Sequence, residues 1–429
     1  MITVLLWAFI IILFLGVPLA VASGIVTIIP SLIDPTFPGS GEYVIRAIFS
    51  GADSTPILAV PLFMLSGALM TSGGISKRLF DVFAYIAGTK TGGMPCAVVL
   101  TCLFFGSICG SGPATTAAVA SMTLPVLLKL GYDRAWSCTI VATAGGLGII
   151  IPPSANFVVY GLVTKTSIGD LFIAGIIPGI LIAICIMVYV YLYCKFKGGE
   201  DKEKIAANYA DLKKRGFGRV CLDSFWALLS PVIILGSIYS GVATPTEAAV
   251  ISVFYALIVA LFTYKTMTYK EIIPVLRDAV TSCAPICLIL AIATAFGQVL
   301  TMLHVPYMLN EFIMSNFSSK TGVMLMFCAI IFIMGMFMDC APAQVILAPM
   351  LLPTLVELGV DPVHFGIVLT VGMAIGFVTP PFGLNLFVAA PYVKLPPTAL
   401  YKPTLPFILV FIVAWMLITF IPELSLFWI

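Results

Sequence analysis

Two pairs of consecutive prolines, Pro152-Pro153 and Pro380-Pro381, interrupt long apolar stretches of this chain. Each proline removes a backbone donor and forces the preceding residue out of the helical region, so carbonyl groups near the pair lose their helical partners. Oxygen atoms of this kind are the ligands that hard cations such as Na⁺ take in proteins. The sequence therefore predicts an ion-handling break in a membrane helix at each proline pair.

Glycines and small polar residues surround both proline pairs, and they supply the candidate ligands. The predicted sodium ligands at the two breaks are Gly145, Gly148, Pro152, Gly376 and Thr379. The polar positions predicted to contact substrate there are Ser154, Asn156, Gly383 and Asn385.

A second kind of break precedes the first proline pair, where a Gly-Ser-Gly-Pro cluster (residues 110–113) lies deep in an apolar run. The helix that ends there offers carbonyls suited to a cation, and the next helix offers amides suited to an anion. We predict that Ser107, Gly110 and Ser111 bind sodium and that Thr115 and Thr116 contact substrate. A purely structural proline and glycine kink is the alternative.

The corresponding break before the second proline pair contains Asp339, Cys340 and Pro342. Asp339 is the only acidic residue predicted to lie deep in the membrane. A carboxylate there is costly to bury and therefore indicates a functional site. We predict that Asp339 and Cys340 contribute to a sodium site, with Asp339 as a proton carrier as a further possibility. A helix cap for the segment that starts at Pro342 is the structural alternative.

The composition determines what kind of fold must position these breaks. The chain has 429 residues, of which 61% are hydrophobic and 9% charged, whereas soluble proteins carry about 25% charged residues. Its apolar runs are continuous and exceed the ~18 residues that span a bilayer, which predicts helices rather than a β-barrel. The fold class is therefore an all-α polytopic membrane protein surrounded by a lipid bilayer. The opening stretch from Met1 to Ala22 is expected to be a retained helix rather than a cleaved signal peptide.

Other functional classes find little support. The net charge of +2 is spread without a basic stripe, so no nucleic-acid partner is expected. The eleven cysteines form no C-x-x-C pair, which argues against zinc or thiol redox sites. No phosphate-binding loop motif occurs, so energy must come from an ion gradient or a partner. The sequence between Thr244 and Glu247 is typical of a helix capping box.

The two halves of the chain are related. When the halves are aligned so that the first proline pair lies on the second, Gly148 lies on Gly376. Upstream the register drifts slowly, by one position to place Gly106 on Gly335 and by one more to place Gly67 on Gly297. Internal repeats are typical of secondary transporters, with the site between the repeats. We predict a first repeat over 1–194, a cytoplasmic linker over 195–222 and a second repeat over 223–429.

Charge placement favours inverted over parallel repeats. The predicted topology places all but three of the 21 lysines and arginines on the cytoplasmic side, the exceptions being Arg46, Lys165 and Lys320. A parallel arrangement would turn one hairpin into a plain crossing and move a charged loop outside. Each repeat then contains a re-entrant hairpin and a broken transmembrane helix, and each broken helix is expected to face the hairpin tip of its own half. The predicted segments are 2–29, 40–54, 56–72, 75–90, hairpin 94–129, broken helix 135–164, 171–194, 223–239, 246–263, 268–280, 282–303, 305–320, hairpin 322–358, broken helix 363–392 and 403–424.

Four motifs make the chain resemble the large membrane subunit of tripartite ATP-independent periplasmic (TRAP) transporters, the DctM and SiaM type, over essentially its whole length. The motifs are Gly-Ser-Gly-Pro-Ala-Thr-Thr at 110–116, Ile-Pro-Pro-Ser at 151–154, Ala-Thr-Pro-Thr-Glu-Ala-Ala at 243–249 and Thr-Pro-Pro-Phe-Gly-Leu-Asn at 379–385.

The resemblance implies an elevator-type transporter in the bacterial inner membrane. In such a transporter a mobile domain with two hairpins and two broken helices carries Na⁺ and an organic acid, such as a sialic acid or a C4-dicarboxylate. It also implies a small four-helix membrane subunit, expected here as a separate chain, and a periplasmic substrate-binding protein. A stand-alone carboxylate or ion antiporter on the same plan is the alternative. An enzyme is not expected, because the predicted map contains one buried carboxylate and no buried histidine.

Overall fold

The computed structural model describes residues 2–198, 200–316 and 319–429, and these residues form helices and turns without a strand. The α-helices are α1 Ile2–Phe14, α2 Leu19–Ile33, α3 Gly41–Ala52, α4 Ala59–Ser72, α5 Ile75–Ala87, α6 Gly93–Cys109, α7 Gly112–Lys129, α8 Arg134–Gly145, α9 Ala155–Thr164, α10 Ile168–Lys197, α11 Lys202–Arg215, α12 Phe217–Tyr239, α13 Pro245–Ile258, α14 Tyr269–Met302, α15 Val305–Asn316, α16 Lys320–Phe337, α17 Cys340–Glu357, α18 Pro362–Gly376, α19 Leu384–Val393, α20 Tyr401–Phe420 and α21 Glu423–Leu426. Short 3-10 turns occupy Thr55–Leu58, Gly146–Ile149 and Pro397–Leu400, and a π-helical turn, Val259–Thr263, extends α13.

Long apolar helices make this a multi-pass membrane protein. Within the described ranges, eight helical stretches are long and apolar enough to cross a bilayer. Helix α20 shows how they meet lipid, because its exposed side chains recur at every fourth position on one face, at Leu405, Leu409, Val413 and Leu417. The all-helical polytopic prediction is confirmed.

Four further helices are too short to span a membrane. They are α8, α9, α18 and α19, each of 10–15 residues. In α8 every residue from Trp136 to Gly145 is buried, and α18 is buried throughout except at Pro362. Because protein rather than lipid surrounds α8 and α18, interrupted helices there do not leave backbone groups facing hydrocarbon, whereas α19 is exposed at Leu384, Phe387 and Tyr392.

The helix boundaries differ from the predicted ones in the first segment. The helix predicted over 2–29 is divided into α1 and α2. Gly16 adopts a φ of +78° and Pro18 precedes α2, so an apolar stretch that reads as one helix is interrupted by local backbone geometry.

The boundaries also differ around α14. The segments predicted over 268–280 and 282–303 form the single 34-residue helix α14. A capping box between Thr268 and Glu271 begins this helix, and the change from charged to apolar sequence near Thr281 does not stop it.

The linker predicted over 195–222 is largely helical. Helix α11 lies within it, and its first turn is capped by Asp201, which accepts a hydrogen bond from the Lys204 backbone at 3.2 Å. Arg215 at its end makes ion pairs with Asp81 at 2.9 Å and Asp223 at 3.3 Å. These contacts hold the linker against helices from both halves of the chain.

Two hairpins and two broken helices form the centre of the molecule. Helices α6 and α7 form hairpin 1, and α16 and α17 form hairpin 2. The first half of each broken helix packs within its own half of the chain, α8 against α6 and α7, and α18 against α16 and α17. The second halves cross over, because α9 packs on α17 and α19 packs on α7. The expected pairing with the hairpin of the same half therefore holds for α8 and α18 but not for α9 and α19.

Candidate functional site

The tip of hairpin 1 touches the first break through backbone atoms. A Cβ placed on Gly106 would lie 2.7 Å from the Gly148 Cα, and one placed on Gly148 would lie 2.8 Å from the Ser111 carbonyl oxygen. Only glycine allows two backbones to come this close. The expected contact between this hairpin tip and this proline break is confirmed, and we call the pair the first unit.

Two buried hydroxyls in the first unit have no hydrogen-bond partner. Thr115 and Thr116 are fully buried in the first turn of α7, and neither Oγ1 atom is satisfied. The Thr116 side chain faces the backbone of Gly145, and the Thr115 side chain faces that of Gly148. A buried polar group without a partner costs about 1–3 kcal/mol. Together with the Ser111 carbonyl, these oxygens have the donor chemistry that Na⁺ requires.

The other predicted residues of the first unit are buried and mostly bonded. Ser107 Oγ donates to the Phe104 carbonyl at 2.7 Å. Ser154 Oγ donates to the Ile149 carbonyl at 2.7 Å, which bridges the break just before α9. The peptide bond between Pro152 and Pro153 is cis, and Pro152 is buried.

Hairpin 2 and the second break form an equivalent second unit. A Cβ on Gly335 would lie 3.2 Å from the Gly376 Cα. Thr379 Oγ1 donates to the Ile375 carbonyl at 2.8 Å, and Gly383 adopts a φ of +59° ahead of α19. The peptide bond between Pro380 and Pro381 is cis, as in the first unit.

Asn385 connects the second break to the other half of the molecule. Its Nδ2 donates to the Ala142 carbonyl of α8 at 2.9 Å, while its Oδ1 is buried without a partner. The side chain is fully buried. One hydrogen bond of the Asn385 amide therefore joins the two halves of the chain, and one oxygen remains available for the predicted contact with substrate.

Asp339 is an N-cap as well as a candidate ligand. Its carboxylate accepts a hydrogen bond from the Cys340 backbone at 2.7 Å, and α17 begins at Cys340 rather than at Pro342 as the structural alternative had it. Cys340 is fully buried, whereas the Asp339 side chain is exposed to the space beyond the helix end. One carboxylate oxygen therefore suffices for the cap, and the group still faces a cavity.

The tips of the two hairpins meet across that cavity. It has a volume of about 30 Å³, enough for a single ion or a water molecule or two. Gly110 and Ser111 line it from hairpin 1, Asn156 from α9 and Asp339 from hairpin 2. We call it the tip cavity. It brings together four predicted residues from both repeats, whereas the lining does not include Thr115, Thr116, Gly145, Gly376, Thr379, Gly383 or Asn385.

Gln344 is a candidate site residue that the sequence patterns did not predict. This side chain is fully buried in α17; its Nε2 donates to Thr370 Oγ1 at 2.9 Å and its Oε1 has no partner. The register that places Gly106 on Gly335 also places Thr115 on Gln344, so the repeat alignment contained the signal. Both hairpins thus carry an unpartnered side-chain oxygen at the same position.

Metal clusters and reactive thiols are not found in the described parts of the chain. No group of three or more histidine, cysteine, aspartate or glutamate side chains is arranged to hold a metal there, and all eleven cysteines are free. His364 is buried, which corrects the expectation that no histidine would be. Its Nδ1 lies 2.6 Å from Ser425 Oγ and its Nε2 lies 3.2 Å from the Thr419 carbonyl, so the ring is fully bonded.

Comparisons with known proteins agree with this architecture. The crystal structure of the Alcanivorax borkumensis YdaH transporter matches with a TM-score of 0.63 over 90% of this chain and 88% of that one. At 15% identity this likeness shows a shared fold.

Two relatives are much closer in sequence. The isethionate TRAP transporter permease protein DctMQ of Oleidesulfovibrio alaskensis is 38% identical over 424 residues, which cover 99% of this chain and 66% of that protein. This chain thus spans about two thirds of that relative's length. The C4-dicarboxylate TRAP transporter large permease protein DctM of Pseudomonas aeruginosa is 38% identical over 389 residues, 91% of this chain and 90% of the relative.

The family model of the DctM component of tripartite ATP-independent periplasmic transporters matches residues 5–424. That range contains both hairpins, both proline breaks and the tip cavity between them. The family consists of transport components and not of enzymes, as predicted, and its description implies further partner components. This chain belongs to the DctM component family of the tripartite ATP-independent periplasmic transporters.

Proposed function

We propose that this chain is the membrane-embedded subunit that carries an organic acid across the bacterial inner membrane, driven by a Na⁺ gradient. The observation that supports this most is the meeting of the two hairpin tips at the tip cavity, with uncharged oxygens on one side and the Asp339 carboxylate on the other. Buried helix breaks of this kind are tolerated where they line a transport site.

The first proposed sodium site belongs to the first unit. The unpartnered Thr115 and Thr116 hydroxyls beside Gly145 and Gly148 support it, because a bound cation would satisfy them both. These two threonines were predicted as substrate contacts, and their burial behind the break favours the ion instead. The other proposed oxygen donors of this sodium site, assigned by their position, are Ser107, Gly110, Ser111 and Pro152.

The second proposed sodium site belongs to the second unit, with Asp339, Cys340, Gly376 and Thr379 as its residues. Asp339 supplies the full negative charge that the first unit lacks. A bound Na⁺ would in turn supply positive charge beside the cavity, which favours a carboxylate substrate there.

The proposed substrate is a small organic acid bound between the hairpin tips, which must separate to admit it because the tip cavity of about 30 Å³ has room for only an ion or a water molecule or two. Relatives are named for isethionate, C4-dicarboxylates, ectoine and, in the Haemophilus influenzae protein SiaT, sialic acid. Helices α7 and α17 both begin at the tip cavity, and the backbone amides at helix N-termini attract carboxylates. Asn156, Ser154, Gly383 and Asn385 remain the predicted polar contacts.

The proposed mechanism is an elevator movement of the two units against a scaffold formed by α4, α13 and α14, with the repeats inverted. The crossing of α9 onto α17 and of α19 onto α7 supports movement of the two units as one body. The proposed partners are a small four-helix membrane subunit beside the scaffold and a periplasmic binding protein that delivers the acid.

Uptake into proteoliposomes tests the proposal. The chain is reconstituted with its small subunit and binding protein, and labelled acid uptake is driven by a Na⁺ gradient or, separately, by a pH gradient. We expect uptake to require Na⁺ and the binding protein. Uptake that ignores Na⁺ and follows the pH gradient would overturn Na⁺ coupling and favour Asp339 as a proton carrier.

Asp339→Asn sharpens this experiment, because asparagine keeps the helix cap while removing the charge. We expect a loss of at least about tenfold in Na⁺-driven uptake, corresponding to ~1.4 kcal/mol, with thermal stability nearly unchanged. Asp361→Asn is the matched control, because Asp361 caps α18 through a 2.7 Å bond from the Val363 backbone and does not line the tip cavity. Equal uptake in the two variants would remove Asp339 from the site.

A further inference from the structure

A second, much larger cavity than the tip cavity lies away from the hairpin tips. It has a volume of about 550 Å³, within the range of small-molecule sites. Its walls come from α3, the end of α9 and α14, and its polar lining includes Tyr43, Ser50, Ser54, Lys165 and Gln298. It shares no lining residue with the tip cavity. We call it the outer cavity.

The outer cavity has the chemistry of an anion site. Lys165 is the only charged residue in its lining, and no described carboxylate lies within ion-pair distance of it. Tyr43 Oη donates to Gln298 Oε1 at 2.8 Å, which orients the amide and leaves its Nε2 donor for a ligand. Asp53 lies outside this lining and belongs to a separate shallow pocket that also includes Ser50.

The backbone at Lys165 has a counterpart in the other repeat. Lys165 follows α9 with a φ of +60°, and Lys394 follows α19 with a φ of +56°. Both preceding helices are the ten-residue second halves of the broken helices. Only four described non-glycine residues have positive φ, and these two are the C-caps of the second halves of the broken helices.

A helix cap alone does not explain two lysines in this conformation. A cation does favour a helix C-terminus, but glycine or asparagine adopts the left-handed region at lower cost. Residues held in such conformations at both repeats point to a role for the side chain. A carboxylate entering the outer cavity would meet the ammonium group of Lys165 and the amide donor of Gln298, which both line it.

We propose that the outer cavity is an entry site for organic carboxylates with Lys165 as its cation, and that Lys394 performs the same role at the opposite mouth. The assignment of the two lysines to opposite faces of the membrane rests on the proposed function, through its inverted repeats. The chemistry of the outer cavity itself does not depend on transport.

A charge-selective labelling experiment tests the site without any uptake. Ser50→Cys places a reporter thiol in the outer cavity, and the purified protein in nanodiscs reacts with an anionic or a cationic methanethiosulfonate, with the rate of the parent protein subtracted. We expect Lys165→Asn to lower the anionic-to-cationic rate ratio about tenfold, the lower end of focusing effects in a cleft. Lys165→Arg keeps the charge and should keep the ratio, and Lys394→Asn, at the other mouth, should not change it.

Millimolar succinate provides the ligand arm of the same experiment. We expect succinate, but not the neutral diamide succinamide, to slow labelling of the reporter, and Lys165→Asn to abolish that protection. An unchanged rate ratio in Lys165→Asn, or loss of thermal stability as its only effect, would show that Lys165 is a helix cap and would overturn the proposal.

The two lysines are then separated by direction of transport. Lys165→Asn should raise the KM for uptake more than the KM for efflux from loaded proteoliposomes, and Lys394→Asn should do the reverse. Equal effects in both directions would overturn the pairing of the lysines. A complex without Na⁺-driven uptake but with intact charge-selective labelling would instead contradict the proposed function alone.

Discussion

The two units have matching positions in sequence but different surroundings. In the first unit every residue from Gly145 to Asn156 is buried, and the break is enclosed by hairpin 1. In the second unit Pro381 is exposed and Phe382 is 55% exposed, so the break reaches the surface of the bundle. Equivalent proline pairs therefore produce one closed break and one open break.

The hairpin tips differ in charge in a way that complements this difference. The register that aligns the two hairpins places Asp339 on Gly110. A cation in the first unit would be held by uncharged oxygens in an enclosed site, where dipoles act strongly. A cation in the second unit would have a carboxylate beside it in a more open site. We therefore expect the first unit to hold a cation through preorganised dipoles and the second unit to hold a cation through charge.

The close backbone contacts provide the largest expected effects. Gly376→Ala would force its Cβ against the Gly335 backbone, and Gly148→Ala would place its Cβ 2.5 Å from Thr115 Oγ1. The Cβ of Gly148→Ala would also lie 2.8 Å from the Ser111 carbonyl oxygen. Because backbone yields less than a side chain, we expect both variants to lose uptake, Gly376→Ala with ~3 kcal/mol of stability and Gly148→Ala with ~2 kcal/mol. Thermal unfolding in detergent and proteoliposome uptake would measure both.

Gly146→Ala is the matched control for this series. A Cβ there would lie 3.4 Å from the Ala374 carbonyl oxygen, an ordinary contact. It should leave uptake within about twofold of the parent protein. Damage from Gly146→Ala as large as that from Gly148→Ala would show that the contact between hairpin tip and break is not what limits substitution.

The unpartnered hydroxyls of the first unit provide the next effect. Thr115→Val and Thr116→Val keep the shape of the side chain and remove an unsatisfied group, so stability without Na⁺ should stay constant or rise by up to ~1 kcal/mol. The parent protein should gain ~2.7 kcal/mol at a Na⁺ concentration 100 times its dissociation constant. Both variants should lose most of that gain, measured as the shift in Tm between sodium and choline buffers.

Thr123→Val separates this effect from the loss of any threonine hydroxyl. Thr123 lies two turns further along α7 and donates to the Val119 carbonyl at 2.7 Å. It should lose ~1 kcal/mol whether or not Na⁺ is present. A full Na⁺-dependent shift in Tm in the Thr116→Val variant would contradict the first proposed sodium site.

Local signals predicted much of the fold. The capping box at Thr244 is present, with the Thr244 backbone donating to Glu247 Oε2 at 2.7 Å. In hairpin 1, α6 ends with Gly110 as its C-cap and α7 begins with Ser111 as its N-cap, as the glycine and proline pattern predicted. These features depend on neighbouring residues alone, so sequence contains them. The break at Gly16 was missed because the apolar run continues through it, and composition carries no information on a single φ angle.

The site was predicted less completely, because part of it depends on packing between distant segments. The contact of the first break with the tip of hairpin 1 was predicted from the aligned breaks, but the crossing of α9 and α19 between the two halves of the chain has no local signal. The unpartnered Gln344 oxygen and the equivalent backbones of Lys165 and Lys394 become visible only once the helices are assembled. Residue types identified candidate ligands, and tertiary contacts decided which of them meet.

The bases of the two hairpins provide the smallest expected effect. Glu200 of the linker closes hairpin 1, because its Oε1 accepts hydrogen bonds from the Gly92 backbone at 2.7 Å and from Tyr132 Oη at 2.8 Å. Burial, and then the hydrogen bond to Glu200, raise the pKa of Tyr132, so this hydroxyl remains a donor. Hairpin 2 closes on itself, through a 3.0 Å bond from Lys320 Nζ to the Gly359 carbonyl.

We expect Glu200→Ala to cost ~1–2 kcal/mol, because it leaves two partly buried donors without an acceptor. Glu200→Gln keeps an acceptor oxygen and should cost less than half as much. Lys320→Met, on an exposed side chain, should change stability by no more than ~0.5 kcal/mol. Thermal unfolding and protease sensitivity of the 195–222 segment would measure these differences. A larger loss in Lys320→Met than in Glu200→Ala would show that hairpin 2, despite its open break, is the more firmly closed of the two at its base.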